Sequence, residues 1–427
     1  MPMSFKRPLN HIILLLALLI SSSPMARAAF LLIPMDKSQT NHLKAYGIAY
    51  WSIERGAPLE WLLNYRGGSF LVGFDQIIEQ ECLLRGVKIE VIADAARLQI
   101  LEKIAQPNVN MDAVKMEKAP KIAVYAPEDK QPWDDAVMMA LEYAEIPYEQ
   151  IYDGEILDGK LKEYDWLHLH HEDFTGQYGR FYRAFNHMAW YQKQVAENEA
   201  TATRYGFQKV SQMKLQVALT IKAYVANGGF LFSMCSGADS FDIALASEGI
   251  DICAQMYDGD PVDPEANSKL DFSKTLAFHN FKLIENPLEY EFSTIDATQS
   301  RRITENQDYF TLFEFSAKWD PVPTMLCQNH TQIIKGFMGQ TTAFLSQYVK
   351  PTVVVMGENK SLGETRYIHG EYGQGTWTFY GGHDPEDYQH LVGDPPTDLS
   401  LYPNSPGYRL ILNNILFPAA RKKKLKT

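Results

Sequence analysis

Between residues 121 and 247 short apolar runs alternate with segments of helical period, and this alternation most restricts the architecture open to the chain. Residues 121–125 read as a strand, 133–144 as a helix, and 148–152 and 165–170 as two further strands. Residues 210–226 read as a long amphipathic helix stopped by Asn227-Gly228-Gly229, followed by a short buried strand at 230–233 and a helix at 238–247. Strands separated by helices pair in parallel, because a parallel connection has to cross the sheet and a helix makes that crossing. The expected fold class is therefore α/β, a parallel sheet with helices on both faces. Residues 171–207 carry Tyr, Phe, Trp and charge without a strand pattern and read as an insertion over one end of that sheet.

A chain of 427 residues holds two or three packing units, at roughly 150 residues per domain. Before the alternating region, apolar spacing predicts strands at 30–34 and 87–92, helices at 42–55 and 77–84, and two extended runs around Arg66-Gly67-Gly68-Ser69. This is a smaller β/α module over residues 29–105. Residues 106–120 become polar and proline-flanked and read as a linker. The main domain then spans 121–420, with late strands at 352–356, 364–371 and 376–381 and a closing helix at 406–417. Residues 421–427 form a basic tail, read as a solvated end.

Residues 1–28 read as a cleaved export signal: Lys6 and Arg7 precede an apolar run from His11 to Ile20, and Ala26-Arg27-Ala28 offers small residues to a signal peptidase. The run is short of the ~20 apolar residues that a spanning helix needs, so no stable membrane span is expected and the protein is placed in the periplasm or outside the cell. Forty Lys and Arg against 52 Asp and Glu give a net charge of −12, which repels a phosphate backbone and argues against a nucleic-acid partner. The four cysteines, Cys82, Cys235, Cys253 and Cys327, have neither disulfide-scaffold density nor Cys-x-x-Cys spacing.

The most informative stretch runs from Gly228 to Asp239, where a buried strand enters Ser233-Met234-Cys235-Ser236-Gly237 and continues directly into a helix. This is the layout of a nucleophile elbow, in which small residues flank the nucleophile because strand and helix backbones approach closely at a strained turn. A cysteine at a helix N-terminus sits where the macrodipole favours thiolate, and the Ser236 N–H next to it serves an oxyanion. Late in the chain, Tyr380-Gly381-Gly382-His383-Asp384-Pro385-Glu386 places a histidine at the end of a strand with carboxylates beyond it.

Together these motifs resemble the class I glutamine amidotransferase-like superfamily over roughly the last three hundred residues. The resemblance implies a flavodoxin-like sheet, Cys235 as nucleophile and His383 as its general base. The family pattern is His-x-Glu, whereas here Asp384 follows His383 at one residue and Glu386 at three, so the orienting carboxylate stays open among Asp384, Glu386 and Glu172. The resemblance also implies a second oxyanion donor in the loop near Thr175-Gly176. The substrate class implied is an amide on a small molecule, a peptide or a carbohydrate, with no cofactor. A non-catalytic binding or structural member of the same fold is the alternative.

In Asp165-Trp166-Leu167-His168-Leu169-His170-His171-Glu172-Asp173, strand alternation puts His168 and His170 on one face. His170, His171 and Glu172 are read as lining the cleft; His-x-His is short and brings no fixed ligand set, so no metal is assigned. Ser236-Gly237-Ala238-Asp239-Ser240 is similar to the Ser-Gly-Gly-x-Asp-Ser nucleotide loop of ATP pyrophosphatases such as asparagine synthetase, and the chain resembles exported bacterial proteins that carry an asparagine synthetase B label. Ala238 departs from that loop where bare backbone must meet phosphate, so an ATP-dependent amidotransferase is ranked last. The acidic run from Asp258 to Asp263 lacks the spacing of a calcium loop and reads as a solvated turn.

Overall fold

A computed structural model describes residues 28–128, 131–320 and 322–421. The expected export signal up to residue 27 and the basic tail beyond Arg421 lie outside the described residues. The architecture is mixed α/β: a separate antiparallel sheet precedes a larger mixed sheet.

The first sheet comprises β1 (Ala28–Ile33), β2 (Leu59–Leu63), β3 (Ser69–Gly73), β4 (Glu90–Ala93) and β5 (Asp112–Met116), in the order β4-β1-β3-β2-β5. Strand β5 lies inside the segment expected to be a linker. Its sequence alternates, with Val114 and Met116 buried and Lys115 exposed, and it pairs with β2 from Leu59↔Met116 to Leu63↔Asp112. Five residues with charge at two positions carry a weak strand signal on their own; pairing with β2 supplies the rest. Helices α1 (His42–Glu54), α2 (Gln76–Leu84) and α3 (Asp94–Ala105) complete this module.

The second sheet contains β6 (Ile122–Tyr125), β7 (Glu149–Ile151), β8 (Trp166–Leu169), β9 (Phe230–Met234), β10 (Tyr309–Leu312), β11 (Ile333–Lys335), β12 (Phe344–Leu345), β13 (Val354–Asn359), β14 (Glu364–Tyr372) and β15 (Gly375–Tyr380). Its order is β11-β10-β13-β14-β15-β9-β8-β6-β7, with β12 on β14. Strands β15, β9, β8, β6 and β7 run parallel, and the wing from β14 outward is antiparallel. The expectation of a mostly parallel sheet therefore holds for one half only. The other half forms because β14 and β15 fold back as a tight hairpin at Gly373, a connection that only antiparallel strands permit.

Every residue of β6, β8 and β9 is buried, the mark of parallel strands covered on both faces. Ile122 and Val124 join the core formed with α1, α4 (Ala136–Ala144) and the last helix, whereas Ala123 and Tyr125 face the opposite core. The region expected to be an insertion carries a 16-residue helix, α5 (Ala189–Arg204), polar on most of its surface and anchored through Tyr191 and Ala202. Next come α6 (Val210–Ala226) and α7 (Ser236–Ala246), which cover the face of Ala123 and Tyr125, and α8 (Pro406–Leu416), which covers the other. Among the described residues no helix is long and apolar enough to cross a membrane.

The two sheets share one core through α1, which packs against α4 and α8. A close approach is at Gly47 of α1, where a Cβ would stand 1.8 Å from the Ala144 carbonyl oxygen at the end of α4. Alanine gains about 1 kcal/mol of helix propensity over glycine, but an overlap with backbone has no side chain to yield and forces the helices apart. Gly47→Ala is expected to lower the thermal midpoint by ~4 °C or more, on a scale of ~2–4 °C per kcal/mol for large domains. Gly73→Ala, where a Cβ meets nothing within 4 Å, should leave it within about 1 °C; the two melts are read by circular dichroism.

Candidate functional site

Strand β9 ends at Met234 and α7 begins at Ser236, so Cys235 alone makes the turn between them. Its backbone takes φ 48° and ψ −142°, a conformation that costs a non-glycine residue on the order of 1–3 kcal/mol. Backbone hydrogen bonds hold it from both sides: the Cys235 N–H donates to the Gly382 carbonyl at 3.2 Å, and the Gly237 N–H donates to the His170 carbonyl at 2.6 Å. A Cβ on Gly237 would lie 2.7 Å from the His170 carbonyl oxygen and 3.0 Å from Ser233 Oγ, which is why small residues flank the cysteine. The Ser236 amide, the first of α7, adjoins the thiol.

The C-terminal ends of the parallel strands deliver the remaining groups, as in open α/β sheets generally. Strand β8 leads directly into His170 and His171, β15 leads through Gly381-Gly382 to His383, and the loop after β6 brings Asp134 and Asp135. A His383 ring nitrogen lies within 4.8 Å of Cys235 Sγ. The Nε2 of His383 is 3.0 Å from Asp134 Oδ1. Burial opposes charge on His383, but the hydrogen bonds and fields of Asp134 and Cys235 outweigh it and raise its pKa to about 10. Burial likewise pushes Asp134 upward, yet its bond to His383 and the nearby His390 hold its carboxyl below the ordinary range. His383 and Asp134 thus form a buried charge-assisted pair. His390 adds its Nε2 at 3.3 Å from Asp134 Oδ1.

None of the three carboxylates left open by the sequence holds His383. The Asp384 side chain accepts the Glu386 amide at 2.9 Å and faces Thr397 and Tyr408, since the residue after His383 points away from it. Glu386 turns to Ser405. Glu172 Oε2 accepts the Tyr152 hydroxyl at 3.0 Å, in a buried group with Lys214 and Asp153, and burial pushes its pKa to about 7. Asp134 falls within the segment whose spacing predicts a helix from 133, whereas α4 starts at Ala136 behind its cap Asp135. An aspartate directly before an apolar periodic run is an N-cap signal that would have exposed Asp135, though not the partner of His383 beside it.

Asp135 caps α4 by accepting the Val137 and Met138 amides, and the same carboxylate is 3.2 Å from His168 Nε2 and 3.3 Å from His170 Nδ1. Burial raises the Asp135 pKa less than His168 and His170 lower it, so it stays well below the ordinary value. Burial drives His170 down to about 4, and His171 well below its ordinary value. His171 Nε2 is 2.7 Å from the Asp134 carbonyl oxygen, and the His170 and His171 rings stack with centroids 3.9 Å apart.

Gly176 is not at the site. Its carbonyl accepts the Cys253 thiol and a Cβ there would strike Ser211. The amides of that loop serve the Asp173 carboxylate instead, from Thr175 at 2.6 Å, Gln177 at 2.8 Å and Gly179 at 3.1 Å. Residues 236–240 are the buried first turns of α7 and not a loop open to nucleotide. In the acidic turn, Lys209 Nζ lies 2.7, 3.1 and 2.5 Å from Asp251, Asp258 and Asp260, an internal cation among the carboxylates.

Cys235 and His383 open on a cavity of about 490 Å³ walled by Trp133, Phe181, Phe185 and Tyr290, and among the described residues its lining includes no Asp, Glu, Lys or Arg. The other three thiols are buried elsewhere; burial pushes Cys82 up to about 12 and raises Cys253 and Cys327 as well.

No protein-family model and no curated protein matches the sequence. Among solved structures, two cytoplasmic proteins of Salmonella typhimurium are similar at TM-scores of 0.34 and 0.33 and identities of 11% and 12%, covering 71% and 70% of this chain and all of theirs. A GH42 β-galactosidase of G. stearothermophilus is similar at a TM-score of 0.25 and 10% identity over 62% of this chain and 27% of its own. At these scores the similarity defines neither fold nor function.

The His383–Asp134 pair has a pH signature. A histidine raised from 6.5 to about 10 on folding keeps its proton where the unfolded chain has lost it. Its contribution to stability is complete below pH 6.5 and disappears as pH rises through about 10. The stability difference between wild type and Asp134→Asn is therefore expected to be largest at pH 6 and to shrink steadily by pH 9.5. Urea unfolding at pH 6, 8 and 9.5 measures it, and a difference independent of pH would contradict the charged pair.

Proposed function

We propose that the chain is a cysteine-dependent hydrolase of carboxamide bonds on a flavodoxin-like, glutamine amidotransferase-like scaffold, exported by the signal expected over residues 1–28. The observation that carries this reading is the strained Cys235 at the start of α7, beside a histidine that a buried aspartate holds. The order of the parallel strands, β7-β6-β8-β9-β15, supports the flavodoxin-like scaffold, since in chain order it reads 2-1-3-4-5.

In this reading Cys235 Sγ, its proton held by His383, attacks the carbonyl carbon and forms a C–S bond. The carbonyl oxygen takes up negative charge beside the Ser236 N–H. His383 gives its proton to the amide nitrogen, the C–N bond breaks, and the amine leaves a thioester on Cys235. His383 then takes a proton from water, the hydroxide attacks the thioester, and the carboxylic acid departs as the thiolate re-forms. Asp134 orients the ring through both transfers and stabilises the imidazolium before the first and after the second.

The cavity narrows the substrate. Free glutamine carries an ammonium and a carboxylate, and among the described lining residues no Asp, Glu, Lys or Arg stands ready to pair with them. Aromatic walls favour an amide whose acyl group is apolar or aromatic.

Turnover of N-phenylacetyl p-nitroanilide and of glutamine, together with mass-mapped iodoacetamide labelling at pH 6.5, tests the reading. The anilide is expected to be hydrolysed in preference to glutamine, Cys235→Ala to abolish turnover, and His383→Gln or Asp134→Asn to lower kcat by about 10²–10⁴. Cys235 is expected to label ahead of Cys82, Cys253 and Cys327. Labelling of Cys235 no faster than the other three, with neither amide hydrolysed, would favour the non-catalytic binding member of the fold.

A further inference from the structure

We infer that His170, His171, Cys235 and His383 form a binding site for one thiophilic divalent cation, of the class represented by Zn²⁺. One donor atom from each of the four lies within 4.8 Å of the others. A tetrahedral zinc with bonds of ~2.0–2.3 Å draws such donors to roughly 3.5 Å apart, a contraction that side-chain rotation supplies.

The argument rests on where the other ring nitrogens are. Metal-binding histidines have their second nitrogen held by a carboxylate, a carbonyl or water, which fixes the ring and raises its basicity. His383 and His171 have this arrangement, and His170 has a carboxylate beside its second nitrogen. His383 Nε2 is 3.0 Å from Asp134 Oδ1, His170 Nδ1 is 3.3 Å from Asp135 Oδ1, and His171 Nε2 is 2.7 Å from the Asp134 carbonyl oxygen. His383 and His171 thus have one nitrogen hydrogen-bonded from outside and one left over, whereas His170 Nδ1 stands beside a carboxylate without a hydrogen bond. The other nitrogen of His170, Nε2, is buried and has no hydrogen-bond partner among the described residues, although His170 is only 1% exposed. A buried imidazole nitrogen without a partner is costly, and a cation supplies what it lacks.

Ligand chemistry selects the ion. One thiolate and three imidazoles suit zinc and its soft neighbours and discriminate against magnesium and calcium, which require oxygen. The carboxylates of Asp134 and Asp135 flank the donors, so a dication there is not a bare buried charge. His171, Cys235 and His383 all line the cavity, which provides the way in.

The site does not depend on the hydrolase reading, but the two interact. A cation on Cys235 and His383 takes both the nucleophile and its base, so the bound and the nucleophilic states exclude one another.

The test titrates Co²⁺ and then Zn²⁺ into full-length protein freed of metal by chelation. One equivalent of Co²⁺ is expected to produce thiolate-to-cobalt charge transfer and the intense visible bands of tetrahedral coordination, and one equivalent of Zn²⁺ to erase them and to shield Cys235 from iodoacetamide. Cys235→Ser should abolish charge transfer, and His170→Ala or Asp134→Asn should weaken Zn²⁺ binding about tenfold or more, with circular dichroism confirming each fold. Absence of stoichiometric binding would overturn the inference. So would binding that survives Cys235→Ser and His170→Ala but fails in His390→Gln, since that places the ion on Asp134, His383 and His390. Metal-free protein that binds Zn²⁺ in this way but hydrolyses no amide would sink the hydrolase reading alone, and hydrolysis without metal binding would sink this one alone.

Discussion

The Gly237 N–H to His170 carbonyl hydrogen bond, 2.6 Å long, ties the first turn of α7 to the end of β8, and the Cys235 N–H to Gly382 carbonyl bond ties the turn before it to the end of β15. Between them the backbone of Cys235 has nowhere to relax, and its positive φ persists because three strands and a helix over-determine it. Neither bond forms unless β8, β9 and β15 are adjacent and parallel, so the strain records the sheet's registry. The same two bonds position the residues just beyond β8 and β15. Once His170 and Gly382 are pinned to this turn, His171 and His383 have to fall beside the thiol.

Two adjacent carboxylates then organise the imidazoles. Asp135 spends its oxygens on the start of α4 and on His168 and His170, whereas Asp134 faces His383 and His390. Neighbouring histidines respond oppositely because the carboxylates are unequally shared. His383 has Asp134 at hydrogen-bond distance and the thiol beside it, which overcome its desolvation. His170 shares a carboxylate already engaged by two amides and by His168, so burial prevails and the ring stays neutral at physiological pH. One charged and two neutral imidazoles around one sulfur suit both proton transfer and metal ligation.

Local signals in the sequence were enough for the elements that build this centre. The helix expected at 210–226 is α6, the strand at 230–233 lies within β9, and the strand–Cys235–helix turn is where small residues implied it. His383 was legible because Gly381-Gly382 follows an apolar strand. Asp134 was not, because its partner lies 249 residues away and it falls in an irregular approach to a helix, where neither periodicity nor spacing marks a pairing. Strand β5 and helix α5 were missed for a related reason: Lys115 interrupts one, and the other is largely polar, so their tertiary neighbours outweigh weak local preference. Gly176 was misplaced because Asp173 draws the loop's amides to itself, a competition visible only once the loop is folded.

The cavity explains why one centre would serve chemistry as different as nucleophilic attack and metal ligation. Aromatic walls lower the dielectric around Cys235, so a thiolate there needs a cation close by. In the proposed hydrolase that cation is the His383 imidazolium, itself balanced by Asp134. A divalent ion bound as proposed replaces the one proton that His383 holds for the thiolate, and the same carboxylates then balance it. In the proposed site proton and metal compete for the same donor atoms in the same counter-charge environment.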